Sequence, residues 1–136
     1  MIVADTNLFL YFFIRGPRTS EAEAVFHRDA IWLAPLLWRS EFKNALVGLV
    51  RRGDVLLEEA FHLVEEAEQW MDGREYSARS SHVLELAERS GCSAYDCEFI
   101  SVALDIQAPL ITLDKQLLKA FPNVAVHPAA FAERHA

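Results

Sequence analysis

The sequence predicts an α/β/α sandwich built on a short, mainly parallel central sheet, and three observations carry that expectation. Short apolar runs (IVA, IWLA, LIT, VAV) alternate with longer segments of helical period. The runs lie too far apart to pair as hairpins, so helical crossovers must join them, and crossovers make neighbouring strands parallel. No linker, repeat or low-complexity tract interrupts the alternation over 136 residues, of which 52% are hydrophobic. That length and apolar content suit one domain over residues 1–136.

Each element has a local reason. Ile2 to Ala4 is a short apolar strand, and Asn7 to Ile14 follows as a helix apolar around most of its circumference, closed by Gly16 and Pro17. Thr19 or Ser20 is placed to cap a second helix through Ala22, Ala24, Val25 and Phe26. Ile31 to Ala34 reads as the second strand, with Pro35 marking the next helix start. Trp38, Phe42, Ala45, Leu46 and Leu49 give that third helix one inward face, and Gly53 ends it behind Arg51 and Arg52, which suit a helix C-terminus. A fourth helix runs from about Glu58 to Trp70, and the weakly patterned stretch from Met71 to Arg79 reads as a loop with a short strand around Tyr76. Ser80 or Ser81 caps a fifth helix stopped by Gly91, Ser93 to Ile106 is the sixth, and Leu110 to Thr112 is a strand. Lys115 to Phe121 is a helix and Val124 to Val126 the last strand before a ragged tail.

Four acids stand out against this frame. Asp5 and Asp114 follow apolar strands, so both sit at the carboxyl edge of the sheet, where parallel sheets bind ligands. Asp96 begins a helix that leads into the strand ending at Thr112, and in a βαβ unit the start of that helix shares the same edge. Glu41 falls about 40° from Ala45 on the flank of the third helix's apolar face and can point along the seam towards a strand end. No basic residue is interleaved with the four, and acids near a core are costly unless a cation neutralises them. An oxygen-only set favours Mg²⁺ or Mn²⁺ over zinc. Hydrolysis of a phosphodiester is the chemistry such a site serves, because a divalent ion acidifies water and stabilises charge on the phosphorane and leaving oxygen. Asn7 and Thr112, each two residues from an acid, are placed to hold a water or orient a carboxylate.

A structural reading competes: Asp5, Asp96 and Asp114 each suit a helix cap, and Glu41 could pair with a neighbouring arginine. Caps explain three positions singly but not the gathering of all four at one edge. Arg15, Arg39, Lys43 and Lys115, with Arg18, could form a positive rim that grips phosphates, although a solvated face or surface ion pair explains each one alone. The formal charge of −7 excludes a broad phosphate-gripping surface. Glu98 lies about 200° around the helix from Asp96 and is expected to face solvent. The five histidines have no ligand spacing, and Cys92 and Cys97 fit no zinc or CxxC pattern, so both read as small, partly buried thiols. With no secretory signal and no apolar stretch long enough to span a bilayer, the expectation is a cytoplasmic protein without a membrane segment.

The stretches MIVADTNLFL, SEFKNALVGLVRRGDV, SAYDCEFISVALDIQAPLITLDKQL and PNVAV resemble the PIN domain, specifically the VapC-type ribonuclease toxins of type II toxin–antitoxin pairs. Each motif alone is weak, but four in order over about 110 residues are specific. The resemblance assigns metal-site acids to Asp5, Glu41, Asp96 and Asp114. It implies a PIN-like fold and a Mg²⁺- or Mn²⁺-dependent endoribonuclease that cuts single-stranded or looped RNA, leaving a 5′-phosphate and a 3′-hydroxyl. It also implies a cognate antitoxin and a homodimer. Cys97 and Asp105 depart from the residues usual at their positions without removing a ligand. The aromatic helix NLFLYFFI is compatible either with burial between layers or with cover by a partner.

Other classes fit less well. A phosphoacceptor receiver domain needs an acidic pair after the first strand and an Asp after a middle one, whereas Asp5 is followed by Thr6 and Asn7; phosphatases of the DxD type fail on the same missing acid. A catalytically idle relative that only binds protein or RNA, or a housekeeping RNA-processing nuclease, is the remaining alternative.

Overall fold

A computed structural model describes residues 1–133. Its sheet has five strands in the order β3-β2-β1-β4-β5, every neighbouring pair parallel. The strands are β1 (Ile2–Ala4), β2 (Trp32–Pro35), β3 (Glu75–Tyr76), β4 (Leu110–Ile111) and β5 (Ala125–Val126). Between them run α1 (Thr6–Phe13), α2 (Thr19–Arg28), α3 (Trp38–Arg51), α4 (Leu57–Trp70), α5 (Ser80–Ser90), α6 (Ala94–Ile106) and α7 (Lys115–Ala120), with α8 (Pro128–Glu133) after β5. Helices cover both faces of the sheet, as the alternation in the sequence predicts.

β1, at the centre, pairs with β2 through Ile2 and Trp32 and with β4 through Ala4 and Ile111. All of β1 and β2 is buried, which is why these strands read as unbroken apolar runs rather than alternating ones. α6 lies across β1, β2 and β4 with α5 against it, while α1 packs on α2, α3 and α4. Three of the four aromatic rings of α1 turn inward. Phe9 is fully buried against Trp32 and Trp38, and Phe12 and Phe13 pack on Trp70 from α4, with ring centroids 5.7 and 5.6 Å away. Burial between layers is therefore the outcome for these three rings, while half-buried Tyr11 lines a cavity between α1 and α3. Such rings bring large apolar area and preferred edge or offset contacts at once.

Several boundaries differ from those the sequence suggests. Pro35 ends β2 instead of opening α3; the N–H groups of Ala34 and Leu36 bond towards β3, so the ring nitrogen of Pro35 faces the side where β1 has already ended. Neither Thr19 nor Ser80 caps a helix. The α2 cap position is Arg18, and the Thr19 hydroxyl instead accepts from Gly16 N–H and donates to the Ile14 carbonyl, tying the α1–α2 turn. Arg79 occupies the cap of α5 without a side-chain capping bond, its guanidinium being spent on Asp105. The expected ragged tail is, through Glu133, the helix α8, held on α2 by the Arg28 guanidinium, which covers the Phe131 ring at 4.1 Å and donates to its carbonyl. Gly53 and Gly91 do end α3 and α5, at φ of 83° and 77°, where a glycine carries no steric cost.

On the far side of β2, Arg39 and Trp38 clasp β3. Arg39 makes a two-pronged bond to Glu75 at 2.6 and 2.8 Å, and the Trp38 indole N–H donates to the same carboxylate at 2.7 Å. Glu68 completes the group at 3.3 Å from Arg39. The guanidinium and its hydrogen bonds hold the Glu75 carboxyl below its usual range.

Candidate metal and nuclease site

The carboxyl edge of the sheet opens into a pocket of about 270 Å³ lined by Asp5, Thr6, Asn7, Leu10, Glu41, Asn44, Ala45, Asp96 and Asp114. All four acids singled out in the sequence thus share one cavity, although they arrive from four elements. Asp5 follows β1 and caps α1; its Oδ1 accepts from Thr6 N–H at 2.8 Å. Asp114 caps α7, accepting from Leu117 N–H at 3.0 Å. Asp96 sits in the first turn of α6, but the cap there is Ser93, whose hydroxyl accepts from Asp96 N–H. Glu41 projects from the first turn of α3 and pairs with no arginine among the described residues; its Oε1 takes the Thr6 hydroxyl at 2.6 Å. The capping role therefore holds for Asp5 and Asp114 and fails for Asp96, and the arginine pairing fails for Glu41.

Thr112 ties two of the acids together. Its buried hydroxyl donates to Asp5 Oδ2 at 2.6 Å and accepts from Asp114 N–H at 3.0 Å. The neighbouring strand makes this possible, because Asp5 N–H bonds the Ile111 carbonyl at 3.1 Å and so fixes β1 against β4. Thr6, one residue after Asp5, does for Glu41 what Thr112 does for Asp5. The sequence gives a signal for it, a hydroxyl between Asp5 and the expected helix start at Asn7, but nothing local shows that it meets Glu41, 35 positions further on. Asn7 lines the pocket with an exposed side chain and has no hydrogen-bond partner among the described residues.

Electrostatically the pocket is a collection of unfavourable anions. Burial raises the carboxyl of Asp5 above its ordinary value; bonds from Thr112 and Thr6 partly oppose this, and the charges of Asp96 and Asp114 add to the rise. Burial is also the leading cause of the rise at Glu41, reinforced by Asp5, Asp96 and Glu98, and at Asp96, reinforced by Asp114 and eased by Ser93. Glu98 is half-buried rather than exposed, since it lines a separate cavity with Val83 and Leu84.

The basic residues distribute differently from the acids. Arg39 is engaged by Glu75 and Glu68, and Lys43 lies in an apolar groove between α3 and α4 with Leu46 and Phe61, away from the acid pocket. Lys115 is exposed at the start of α7. Arg15 is exposed at the end of a groove that adjoins the acids.

Four oxygen-donor side chains in one pocket with no cation beside them fit a hard divalent ion. Among the described residues, no three His, Cys, Asp or Glu side chains stand close enough to grip a bare ion directly. The pocket, about 270 Å³, instead has room for an ion that keeps part of its hydration. Cys92 and Cys97 are buried free thiols and stand outside the pocket.

A short parallel sheet whose carboxyl edge opens into a cluster of carboxylates defines an α/β/α protein with an acidic centre. The chain belongs to the PIN domain family, whose model matches residues 2–123. It is 26% identical over 124 residues to Ribonuclease VapC3 of Pyrobaculum aerophilum, covering 89% of this chain and 95% of that protein. A chain of a toxin–antitoxin complex from Klebsiella pneumoniae aligns with a TM-score of 0.69 at 17% identity, over 94% of this chain and 98% of the other, a likeness of fold alone. Among the described residues, no helix is long and apolar enough to cross a membrane.

Proposed function

We propose that this chain is the ribonuclease toxin of a toxin–antitoxin pair, an endoribonuclease that hydrolyses RNA phosphodiester bonds with Mg²⁺ or Mn²⁺ in the cytoplasm. A cognate antitoxin protein silences it, and it works as a homodimer. The observation that carries the reading is the convergence of Asp5, Glu41, Asp96 and Asp114 on one pocket with no basic side chain among its lining residues. The likeness to Ribonuclease VapC3 supports the RNA substrate, and the antitoxin is suggested by the neighbour in a toxin–antitoxin complex.

A bound divalent ion would supply an acidified water and a counter-charge for the phosphate. The chain's residues do the rest. Asp5, Glu41, Asp96 and Asp114 would hold the ion, in part through its waters. Thr112 and Thr6 fix Asp5 Oδ2 and Glu41 Oε1 in place, while Glu41 Oε2 and Asp114 Oδ2 have no hydrogen-bond partner among the described residues and stay available. Asn7 and Asn44, at the pocket rim, offer amides to the substrate phosphate or to a positioned water.

The test is cleavage of single-stranded and hairpin RNA by the purified chain with Mn²⁺, Mg²⁺ or EDTA, beside Asp96→Asn. Cleavage that requires the metal and drops at least about 100-fold in the variant is expected, as for loss of a charged group acting on the reacting phosphate. Equal activity in EDTA, or in the variant, would sink the reading.

A further inference from the structure

A second cavity, of about 800 Å³, lies between α1 and α3 and shares Asn7, Leu10, Asn44 and Ala45 with the acid pocket. The two adjoin along α1 and α3. The second is walled by the apolar Leu10, Tyr11 and Leu49 and carries Arg15 and Arg52, with Asp54 beside Arg52, at the end away from the carboxylates. Arg15 has no ion-pair partner among the described residues, and Arg52 has only Asp54 at 3.2 Å, with both side chains more than half exposed, a pairing of little strength. Helix C-terminus electrostatics suffice to explain Arg51, but Arg52 faces this groove.

We infer that this α1–α3 groove is the track for single-stranded RNA flanking the cleaved bond, with Arg15 and Arg52 holding a backbone phosphate away from the reacting one. The inference rests on the nuclease reading of the acid pocket and adds to it the path of the substrate. Three features select a nucleic acid strand. The chain carries a net charge of −7, yet the groove's far end offers two guanidiniums, which bind phosphate in a planar fork. The wall between them and the acids is apolar and partly aromatic, as base faces require. The floor is low because Gly48 stands in the middle of α3, and a Cβ added there would meet nothing within 4 Å. A strand can therefore lie close to the helix backbone.

Gly48 also gives the test. A larger side chain there fills the groove without touching an acid, and replacing glycine inside a helix favours folding. Binding of a fluorescein-labelled single-stranded RNA decamer is read by anisotropy in Ca²⁺ across a salt series for the parent, Gly48→Leu and the double variant Arg15→Gln/Arg52→Gln. Mn²⁺ titration of each protein serves as the control for the acid pocket. Gly48→Leu is expected to weaken RNA binding about tenfold with the Mn²⁺ midpoint unchanged. The double variant should flatten the slope of log affinity against log salt by about 0.7, the loss of one phosphate contact. Parent-like RNA affinity in both variants would overturn the inference and leave the groove to a protein chain. The separate finding that the parent binds the decamer through this groove but cuts no RNA with Mn²⁺ would sustain the track and remove the nuclease reading instead.

Discussion

Replacing Thr112 by valine keeps the volume and β-branching of a buried strand residue and removes one oxygen. That oxygen donates to Asp5 Oδ2 at 2.6 Å and accepts from Asp114 N–H at 3.0 Å. A hydrogen bond to a charged group contributes about 1.5–3 kcal/mol, and a buried N–H left unpaired costs about 1–3 kcal/mol. Partial rehydration through the open pocket lowers the sum, so a loss of about 3 kcal/mol is expected. Unfolding entropy of about 2.1 cal/mol/K per residue over 136 residues converts each kcal/mol to about 3.5 °C, so Tm should fall by about 10 °C in metal-free buffer. Loss of the Thr112 bond also removes the main influence that opposes the raised carboxyl of Asp5, so Mn²⁺ should bind about 10–100-fold more weakly, with its pH midpoint moved upward. Differential scanning calorimetry and Mn²⁺ titration between pH 5 and 8 measure both effects, with Thr112→Ser as the variant that keeps the hydroxyl. A valine variant that melts within 2 °C of the parent, about the resolution of the comparison, and keeps its Mn²⁺ affinity would refute the bridging role of Thr112.

Two further outcomes are expected. The raised carboxyls of Asp5, Glu41 and Asp96 make the metal-free protein more stable on mild acidification: their contribution is fully present below the ordinary values of 3.8 and 4.5 and is lost as pH rises through their higher folded values. A Tm profile in EDTA should therefore slope down towards neutral pH and flatten in saturating Mn²⁺, and a flat profile in EDTA would contradict the electrostatic account. Glu75→Gln, which leaves the Arg39 fork with a neutral partner, should cost about 1–2 kcal/mol after discounting for solvent, or about 4–7 °C at pH 7. Because the Glu75 carboxyl is held low, that difference should shrink as pH falls below 4.5 through its depressed folded value, and urea melts at pH 7 and pH 3.5 check this.

The acids were legible because each stands where a short apolar run or a helix start forces a position. Asp5 and Asp114 follow strands, and Asp96 heads the helix that leads into β4. What brings them to rest could not be read, since the Thr6 and Thr112 bonds join residues 35 and 107 positions apart. Misplaced caps at Thr19 and Ser80 share one cause: a hydroxyl near a helix start satisfies the same pattern one residue inside the helix as at its cap. The helix α8 was hidden because six residues carry little periodicity, and its hold on the protein comes from Arg28, a hundred residues earlier in the chain. The same distance effect took Arg39 out of the expected rim, because Glu75 becomes its neighbour only when β3 joins β2, and Glu68 only when α4 packs on α3.

β1 lies in the middle of the sheet, and β4, which brings Thr112 to Asp5 from 107 positions further along the chain, completes its second flank. Asp5 therefore has neither Thr112 nor Asp114 beside it until that later strand has been made and docked. A nascent chain that has emerged only as far as α6 holds an unfinished centre.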